Sequence, residues 1–74
     1  MEKGTVILRC EVKIGERYSY ESDLSDYYTF EVLSEFNNGD FIIKYTDGVK
    51  STMRNNNYGF VYANPLTELE KALS

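Results

Sequence analysis

The sequence contains no histidine, no tryptophan, one cysteine and one proline among its 74 residues. Histidine is the side chain that most often serves as general base, metal ligand or charge switch near neutral pH. A single cysteine excludes an intramolecular disulfide and a thiolate metal cluster, and it is typical of a reducing compartment. We therefore expect a cytoplasmic protein without catalytic residues, metal or cofactor.

Long apolar runs are also missing, whereas a helix that spans a bilayer needs about 20 apolar residues. Residues 1–4 lead directly into an alternating segment rather than into the apolar core of a signal peptide. No membrane segment is expected. Asn, Lys, Ile, Tyr and Phe are abundant and have AT-rich codons, which hints at a low-GC bacterium or one of its phages.

The chain is short enough to form one domain, near the lower size at which an apolar core alone holds a fold together. A core of this size leaves no room for a deep internal cavity. Any functional site is therefore expected on the surface or in a shallow groove.

Charge is unevenly distributed along the chain, although the net charge is only −4. Between residues 16 and 40 there is one base, Arg17, and there are seven acidic residues: Glu16, Glu21, Asp23, Asp26, Glu31, Glu35 and Asp40. Between residues 41 and 63 three bases oppose one acid, Asp47. The acidic segment favours a basic protein surface over a nucleic-acid backbone as partner. The alternative is that these carboxylates only keep a small domain soluble.

Residues 5–14, TVILRCEVKI, alternate in polarity and predict a strand. Its predicted inner face consists of Val6, Leu8, Cys10, Val12 and Ile14. On that face Cys10 is expected to be a small buried hydrophobe rather than a reactive thiol. The outer face carries residues that would protect an exposed edge, namely Arg9, Glu11 and Lys13. Ile7 and Ile42 are candidates for a dimer patch, and a monomer is the alternative.

Further strands are predicted through Tyr18 and Tyr20 and over residues 28–36, 41–46, 49–54 and 58–62. The expected apolar positions are Tyr28, Phe30, Val32 and Phe36 in the second of these, and Phe41, Ile43 and Tyr45 in the third. Residues 37–40 and Asp47-Gly48 mark hairpin turns, the latter of type I′, in which both central residues are left-handed. Residues 55–57 are expected to form an irregular turn.

A C-terminal helix is predicted over residues 64–73, with Asn64 as N-cap and Pro65 in the first turn. Leu66, Leu69 and Leu73 recur at helical spacing. This apolar stripe is expected to cover an open end of the sheet, and a partner-binding helix is the alternative. The whole chain, residues 1–74, is thus predicted to be one mainly β domain. It combines an SH3-like small barrel of five to six antiparallel strands over 1–63 with a short α-helix over 64–73.

Residues 15–53, GERYSYESDLSDYYTFEVLSEFNNGDFIIKYTDGVKSTM, resemble a Tudor-type domain in their glycine opening, loop, aromatic-led strand, short turn and Tyr-x-Asp-Gly hairpin. The resemblance implies an aromatic cage for methylated cations, since cations bind the faces of aromatic rings. Tyr28 and Tyr45 match two cage positions, and Tyr18 or Tyr20 loosely matches a third. Asp47-Gly48 replaces a further aromatic residue of the family.

Seven tyrosines are available as core or contact residues. Tyr28, Tyr45 and Tyr58 are expected in the core with their hydroxyls at its rim. Tyrosines in the acidic segment are expected at the surface, where rigid aromatic area favours protein binding. The predicted partner-binding residues are Tyr18, Tyr20, Glu21, Asp23, Asp26 and Tyr27. They suggest an inhibitor or adaptor of a basic protein, such as a nucleic-acid-binding host protein.

The alternative is a weak single-stranded nucleic-acid-binding barrel. Such proteins need a basic groove with aromatic platforms on which bases stack. The residues that would supply it here are Lys44, Lys50, Arg54 and Tyr58. Three charges are few for this purpose, so the protein-binding interpretation is preferred.

Overall fold

The computed structural model describes residues 2–24, 28–55 and 58–73. Its strands are β1 (Val6–Leu8), β2 (Arg17–Ser19), β3 (Thr29–Glu35), β4 (Phe41–Tyr45), β5 (Lys50–Met53) and β6 (Phe60–Ala63). A 3-10 helix covers Arg9–Glu11, and the α-helix α1 covers Glu68–Leu73. No helix in the described ranges is long and apolar enough to cross a membrane.

The six strands form one antiparallel sheet in the order β1-β6-β2-β3-β4-β5. The mainly β fold with a short C-terminal helix is therefore confirmed. The sheet is open, because β1 and β5 are its two edges and no strand pairing among the described residues joins them. A closed SH3-like barrel is not confirmed.

The apolar core lies on one face of this sheet. It consists of Ile7, Val12, Tyr18, Phe30, Val32, Phe41, Ile43, Met53, Val61 and Ala63. Many of these residues are cross-strand partners, such as Val32 opposite Ile43 and Phe41 opposite Met53. Because α1 contributes no buried residue, the sheet has to bend around its own side chains to remove them from water.

Phe30 is the centre of the aromatic packing in this core and is only 1% exposed. Its ring centroid lies 4.7 Å from that of Tyr20, 6.2 Å from that of Tyr18 and 6.4 Å from that of Tyr45. These three tyrosines come from the turn after β2, from β2 itself and from β4. Phe30 of β3 therefore packs against tyrosines from β2 and the turn after it on one side and from β4 on the other.

The face predicted for the first strand is wrong within β1 and at Ile14, and of the predicted inner positions Val12 alone is buried as expected. Ile7 is buried in the core, whereas Val6, Leu8 and Ile14 are 60%, 42% and 57% exposed. Because positions 6, 7 and 8 are all apolar, alternation alone does not distinguish the inner face from the outer one. The strand also ends at Leu8 rather than at residue 14.

The segment after β1 therefore does not continue the sheet. Cys10 lies in the 3-10 helix and is partly exposed, so the prediction of a buried strand residue is wrong. Ile7 belongs to the core and Ile42 is partly buried, so Ile7 is not available for the predicted dimer patch.

A β-bulge in β3 changes the face of the residues that follow it. The register with β4 shifts between Val32 and Ser34, which adds one residue to β3 and reverses the side to which later side chains point. Phe30 and Val32 are buried as predicted, but Phe36, also predicted on the inner face, is 44% exposed.

The hairpin at Asp47-Gly48 is not a type I′ turn. The Gly48 amide donates to the Tyr45 carbonyl at 2.9 Å, and the Tyr45 amide donates to the Val49 carbonyl at 2.8 Å. Gly48 is left-handed with φ +91°, but Asp47 is not. The connection is a three-residue loop that ends in a left-handed glycine. The Asp47 carboxylate accepts the Val49 amide at 3.0 Å and so stabilises this loop.

Helix α1 begins at a different cap from the one predicted. The Glu70 amide donates to the Thr67 hydroxyl at 3.2 Å, and the Thr67 amide donates to a Glu70 carboxylate oxygen at 3.1 Å. This reciprocal pair is a capping box. Asn64 is instead buried, and its side-chain amide donates to the Thr29 hydroxyl at 3.1 Å. A threonine followed three residues later by a glutamate is a stronger helix-start signal than Asn64-Pro65.

The leucines of the C-terminal segment do not cover the core. Leu66 is 40% exposed, and Leu69 and Leu73 are 70% and 79% exposed. The prediction of a capping helix is therefore wrong. The core residues are buried without any contribution from α1, so these leucines are not needed to cover them.

Replacing Phe30 with alanine should destabilise the domain by about 3–5 kcal/mol, because a fully buried aromatic ring is removed and a cavity remains. Urea unfolding followed by circular dichroism measures this loss. Phe36→Ala is the matched control, and its cost should be clearly smaller, about 1 kcal/mol, because Phe36 is already 44% exposed. Equal costs for the two variants would contradict the central role of Phe30.

Candidate partner-binding groove

A groove of about 380 Å³ lies at one end of the sheet and is lined by Tyr28, Tyr45, Thr46 and Asp47. Tyr45 is the last residue of β4, and Thr46 and Asp47 belong to the loop that follows it. Phe30 pairs with Tyr45 across β3 and β4, so Tyr28, two residues earlier, lies beside this loop. The strand register thus brings two tyrosines and one carboxylate together.

The tyrosines expected in the core are largely at the surface. Tyr28 is 42% exposed, Tyr45 is partly buried against the core, and Tyr58 is 98% exposed. Tyr28 precedes the first residue of β3, so the sheet does not draw its ring fully into the core. Their predicted core role is wrong for Tyr28 and Tyr58, and Tyr28 and Tyr45 become groove residues instead.

Two tyrosines expected to contact a partner belong to the core. Tyr18 is 2% exposed, and its hydroxyl accepts the Lys13 amide at 3.0 Å. Burial raises the pKa of Tyr18. Tyr20 packs partly buried against Phe30, and the Arg9 guanidinium carbon lies 5.3 Å from the centroid of its ring. The prediction of surface contact is wrong for Tyr18, and the ring of Tyr20 is occupied by Arg9 and Phe30.

The acidic loop lies next to the groove. The Tyr20 amide donates to the Tyr28 carbonyl at 3.3 Å, which closes the base of the loop between β2 and β3. Glu21 and Asp23 are exposed in this loop. Asp26 and Tyr27, also predicted to bind a partner, lie outside the described residues. Tyr28, which lines the groove, is thus bonded to Tyr20, the residue directly before Glu21.

Arg17, the single base of the acidic segment, is engaged by the C-terminal segment. Its guanidinium donates to the Glu70 carboxylate at 3.0 and 3.3 Å and to the Pro65 carbonyl at 3.3 Å. The Asn64 carbonyl accepts a further bond from the guanidinium. Sequence reasoning missed this pairing, because no short-range pattern connects residues 53 positions apart.

A second depression lies beside this ion pair. It has a volume of about 280 Å³ and is lined by Lys13, Glu16, Arg17, Tyr18, Ala63 and Pro65. Of the charged groups that line it, Arg17 is already bonded to Glu70 and to backbone carbonyls. The groove at Tyr28 and Asp47 is the better candidate for a basic ligand, because two tyrosines and one carboxylate line it and, among the described residues, no base does.

The predicted basic surface is only partly assembled. Lys44 on β4 lies opposite Lys50 on β5, which brings two bases together. Lys44 also lies opposite Glu31 on β3, and this carboxylate offsets the charge of Lys44. Arg54 is exposed after β5. Tyr58 precedes β6, which is separated from β4 by β2 and β3. The structure therefore does not place Tyr58 in the same row as the two lysines.

The chain has no match among protein-family models, curated proteins or solved structures. The fold and the groove are therefore interpreted from this chain alone, and the Tudor-type resemblance stays a prediction. Tyr28 and Tyr45 were predicted from the sequence as core or cage tyrosines, and Asp47 was predicted as a turn residue. The register of the β3–β4 hairpin places residues 28 and 47 side by side, and this register would have predicted that the three residues share one site.

The ion pair between Arg17 and Glu70 makes the free energy of unfolding depend on pH in the acidic range, where the free energy falls as pH falls. Hydrogen bonds from Arg17, followed by the Thr67 amide, lower the pKa of Glu70 from 4.5 to about 2. Since a lowered carboxyl pKa stabilises the folded state above the unfolded pKa, this contribution is complete above pH 4.5 and is lost as pH falls toward about 2. Glu70→Gln should weaken the decline of the urea midpoint in this window. Glu68→Gln is the control, and an unchanged decline in Glu70→Gln would contradict the pairing.

Tyr20 makes the free energy of unfolding depend on pH in the alkaline range, where the free energy falls as pH rises. Burial, followed by the charge of Tyr45, raises the pKa of Tyr20 to about 12. A raised phenol pKa stabilises the fold fully below the unfolded value of 10.0, and the contribution is lost as pH rises toward about 12. Tyr20→Phe should therefore lose less stability over this range than the native chain. Tyr58→Phe, at an exposed position, should behave like the native chain, and a native-like decline in Tyr20→Phe would count against a buried phenol.

Proposed function

We propose that this protein is a small non-catalytic binding module that recognises a basic segment of another protein. The single observation that carries the proposal is the groove in which Tyr28 and Tyr45 lie beside Asp47, next to the exposed acidic loop. The proposal keeps the acidic, tyrosine-bearing surface inferred from the sequence but moves its aromatic contacts from Tyr18 and Tyr20 to the groove.

The chemistry of the groove suits a lysine or arginine side chain. Such side chains have an apolar stem that packs on aromatic rings and a charged end that is attracted to ring faces and carboxylates. Tyr28 and Tyr45 supply the rings, and Asp47 supplies the carboxylate at the wall. One basic side chain in this groove would fix the position of the bound segment.

The acidic loop would extend the contact beyond the groove. Glu21 and Asp23 are exposed where the loop leaves Tyr20, and a net charge of −4 attracts basic segments over a distance. Exposed charges of this kind raise the association rate more than the final affinity. We propose that the groove supplies specificity and the loop supplies attraction.

The proposed role in the cell is that of an inhibitor or adaptor in the cytoplasm. A module that covers the basic surface of a nucleic-acid-binding protein would compete with nucleic acid for that surface. The single cysteine supports a reducing compartment. The composition rich in residues with AT-rich codons supports a low-GC bacterial or phage origin.

The test is fluorescence anisotropy with a labelled nine-residue peptide that alternates lysine or arginine with small residues. Asp47→Asn and Tyr28→Ala should each weaken binding at least about fivefold, since the first removes the negative charge of the groove and the second removes one of its two aromatic rings. Because the Asp47 carboxylate also accepts the Val49 amide, Asp47→Asn must keep a native circular dichroism spectrum. The doubly neutralised loop, Glu21→Gln with Asp23→Asn, should mainly slow association and reduce the salt dependence.

Glu68→Gln is the matched control, because Glu68 is an exposed acid on helix α1. It should bind like the native chain. Peptide binding that is unchanged in Asp47→Asn and Tyr28→Ala would refute the groove. An oligo-dT probe that binds the native chain and is released by Lys50→Glu with Arg54→Glu would instead support the nucleic-acid alternative.

A further inference from the structure

Strand β1 is an edge whose backbone groups face outward in a defined pattern. The Ala63 amide donates to the Thr5 carbonyl at 2.8 Å, and the Arg9 amide donates to the Gly59 carbonyl at 3.1 Å. The Thr5 carbonyl and the Arg9 amide therefore face β6, as do the backbone groups of Ile7, which lies opposite Val61. Val6 and Leu8 direct their backbone groups away from β6, since alternate residues of a strand face opposite neighbours. Within the described residues no strand pairs with this outer side.

The outer face beside this edge is apolar. Val6 is opposite Tyr62 and Leu8 is opposite Phe60. Phe60 and Tyr62 also pack edge to face, with ring centroids 5.7 Å apart. Val6, Leu8 and Phe60 are among the exposed large hydrophobic residues. Four neighbouring apolar side chains thus form a patch that reaches the edge of the sheet.

The two edges of the sheet differ in how they are protected. Natural edges resist unwanted pairing through charged residues, prolines or bulges. At β5 the backbone groups of Lys50 and Thr52 face outward, because Tyr45 pairs with Val49 through hydrogen bonds and the pattern alternates from there. Lys50 provides a charge at that edge. Strand β1 has none, since Arg9 and Glu11 lie in the 3-10 helix rather than in the strand.

We propose that the β1 edge pairs with the β1 edge of a second copy of this chain. In an antiparallel pairing centred on Ile7, Val6 of one copy lies opposite Leu8 of the other. The outward amide and carbonyl groups of both residues are then all used, in four hydrogen bonds. The same register joins the two apolar patches across the twofold axis. No charged side chain lies within the paired strands.

The sequence on either side of β1 favours a second copy over a strand of unrelated sequence. The N-terminal flank carries Glu2 and Lys3, and the C-terminal flank carries Arg9 and Glu11. An antiparallel twofold axis sets the N-terminal flank of one copy beside the C-terminal flank of the other, so each acid and each base meets a flank that carries the opposite charge. The proposal does not depend on the groove at Asp47, because that groove lies beside β4, which three strands separate from β1.

Sedimentation velocity between about 1 µM and 1 mM tests the association, a range that suits a pairing of only three residues on each side. The mass should rise from 8.6 kDa toward twice that value. Amide hydrogen exchange measured by NMR should show that Val6 and Leu8 become protected as concentration rises. A monomer at every concentration, or a dimer in which these two amides stay unprotected, would overturn the proposal.

Leu8→Lys and Val6→Lys place a charge in the apolar patch and should weaken self-association at least about tenfold. The matched control is Thr52→Lys, which adds the same charge at an outward-facing position of the other edge, and it should associate like the native chain. Native circular dichroism spectra confirm that each variant is folded. Val6 is 60% exposed, so Val6→Lys remains informative if Leu8→Lys unfolds. Equal weakening by Thr52→Lys would contradict the assignment to β1.

Discussion

A single sheet without a second layer has to cover its own apolar face. In this protein the requirement is met by curvature around Phe30, whose ring contacts tyrosines from β2, from the turn after it and from β4. The other properties of the fold depend on that solution. The C-terminal leucines are not needed in the core, and among the described strands the sheet keeps two unpaired edges. Near the β1 edge, the exposed side chains of Val6, Leu8 and Phe60 are apolar.

The groove follows from the way in which β3 and β4 are paired. The three-residue loop after Tyr45 needs a left-handed glycine and a carboxylate that accepts the Val49 amide, and Gly48 and Asp47 supply them. The same carboxylate lines a groove with Tyr28. A residue selected for turn geometry thus also contributes to the candidate site. This double role explains why a rigid, short loop can carry a binding surface in a domain with little core.

Sequence patterns predicted the parts of this fold that depend on local alternation. Residues 41–45 begin with three apolar residues, but Lys44 marks the outer face, and the buried positions Phe41 and Ile43 were predicted correctly. Residues 6–8 are also three apolar residues, and there the predicted face was wrong because the strand ends at Leu8, before the polar residues that set the pattern. At Phe36 a bulge reverses the pattern. The contact of Arg17 with Glu70 joins residues 53 positions apart and is encoded by no local pattern. The closeness of Tyr28 to the Asp47 loop follows from the register of the β3–β4 hairpin, which needs the strand pairing and not the alternation alone. The core role predicted for Tyr28 failed because Tyr28 lies just before β3.

Helix α1 is attached to the sheet by the ion pair of Glu70 with Arg17, and none of its residues is buried. The residues just before it are held differently, because Asn64 is buried and bonded to Thr29, and the Asn64 and Pro65 carbonyls accept bonds from Arg17. Dissolved salt screens charge contacts and leaves apolar contacts intact. The sheet with residues 64 and 65 and the helix α1 are therefore two units of unequal strength within one small domain. Raised ionic strength is expected to loosen α1 while the sheet stays folded, so the molecule changes its outline at the C-terminal end before it loses its core.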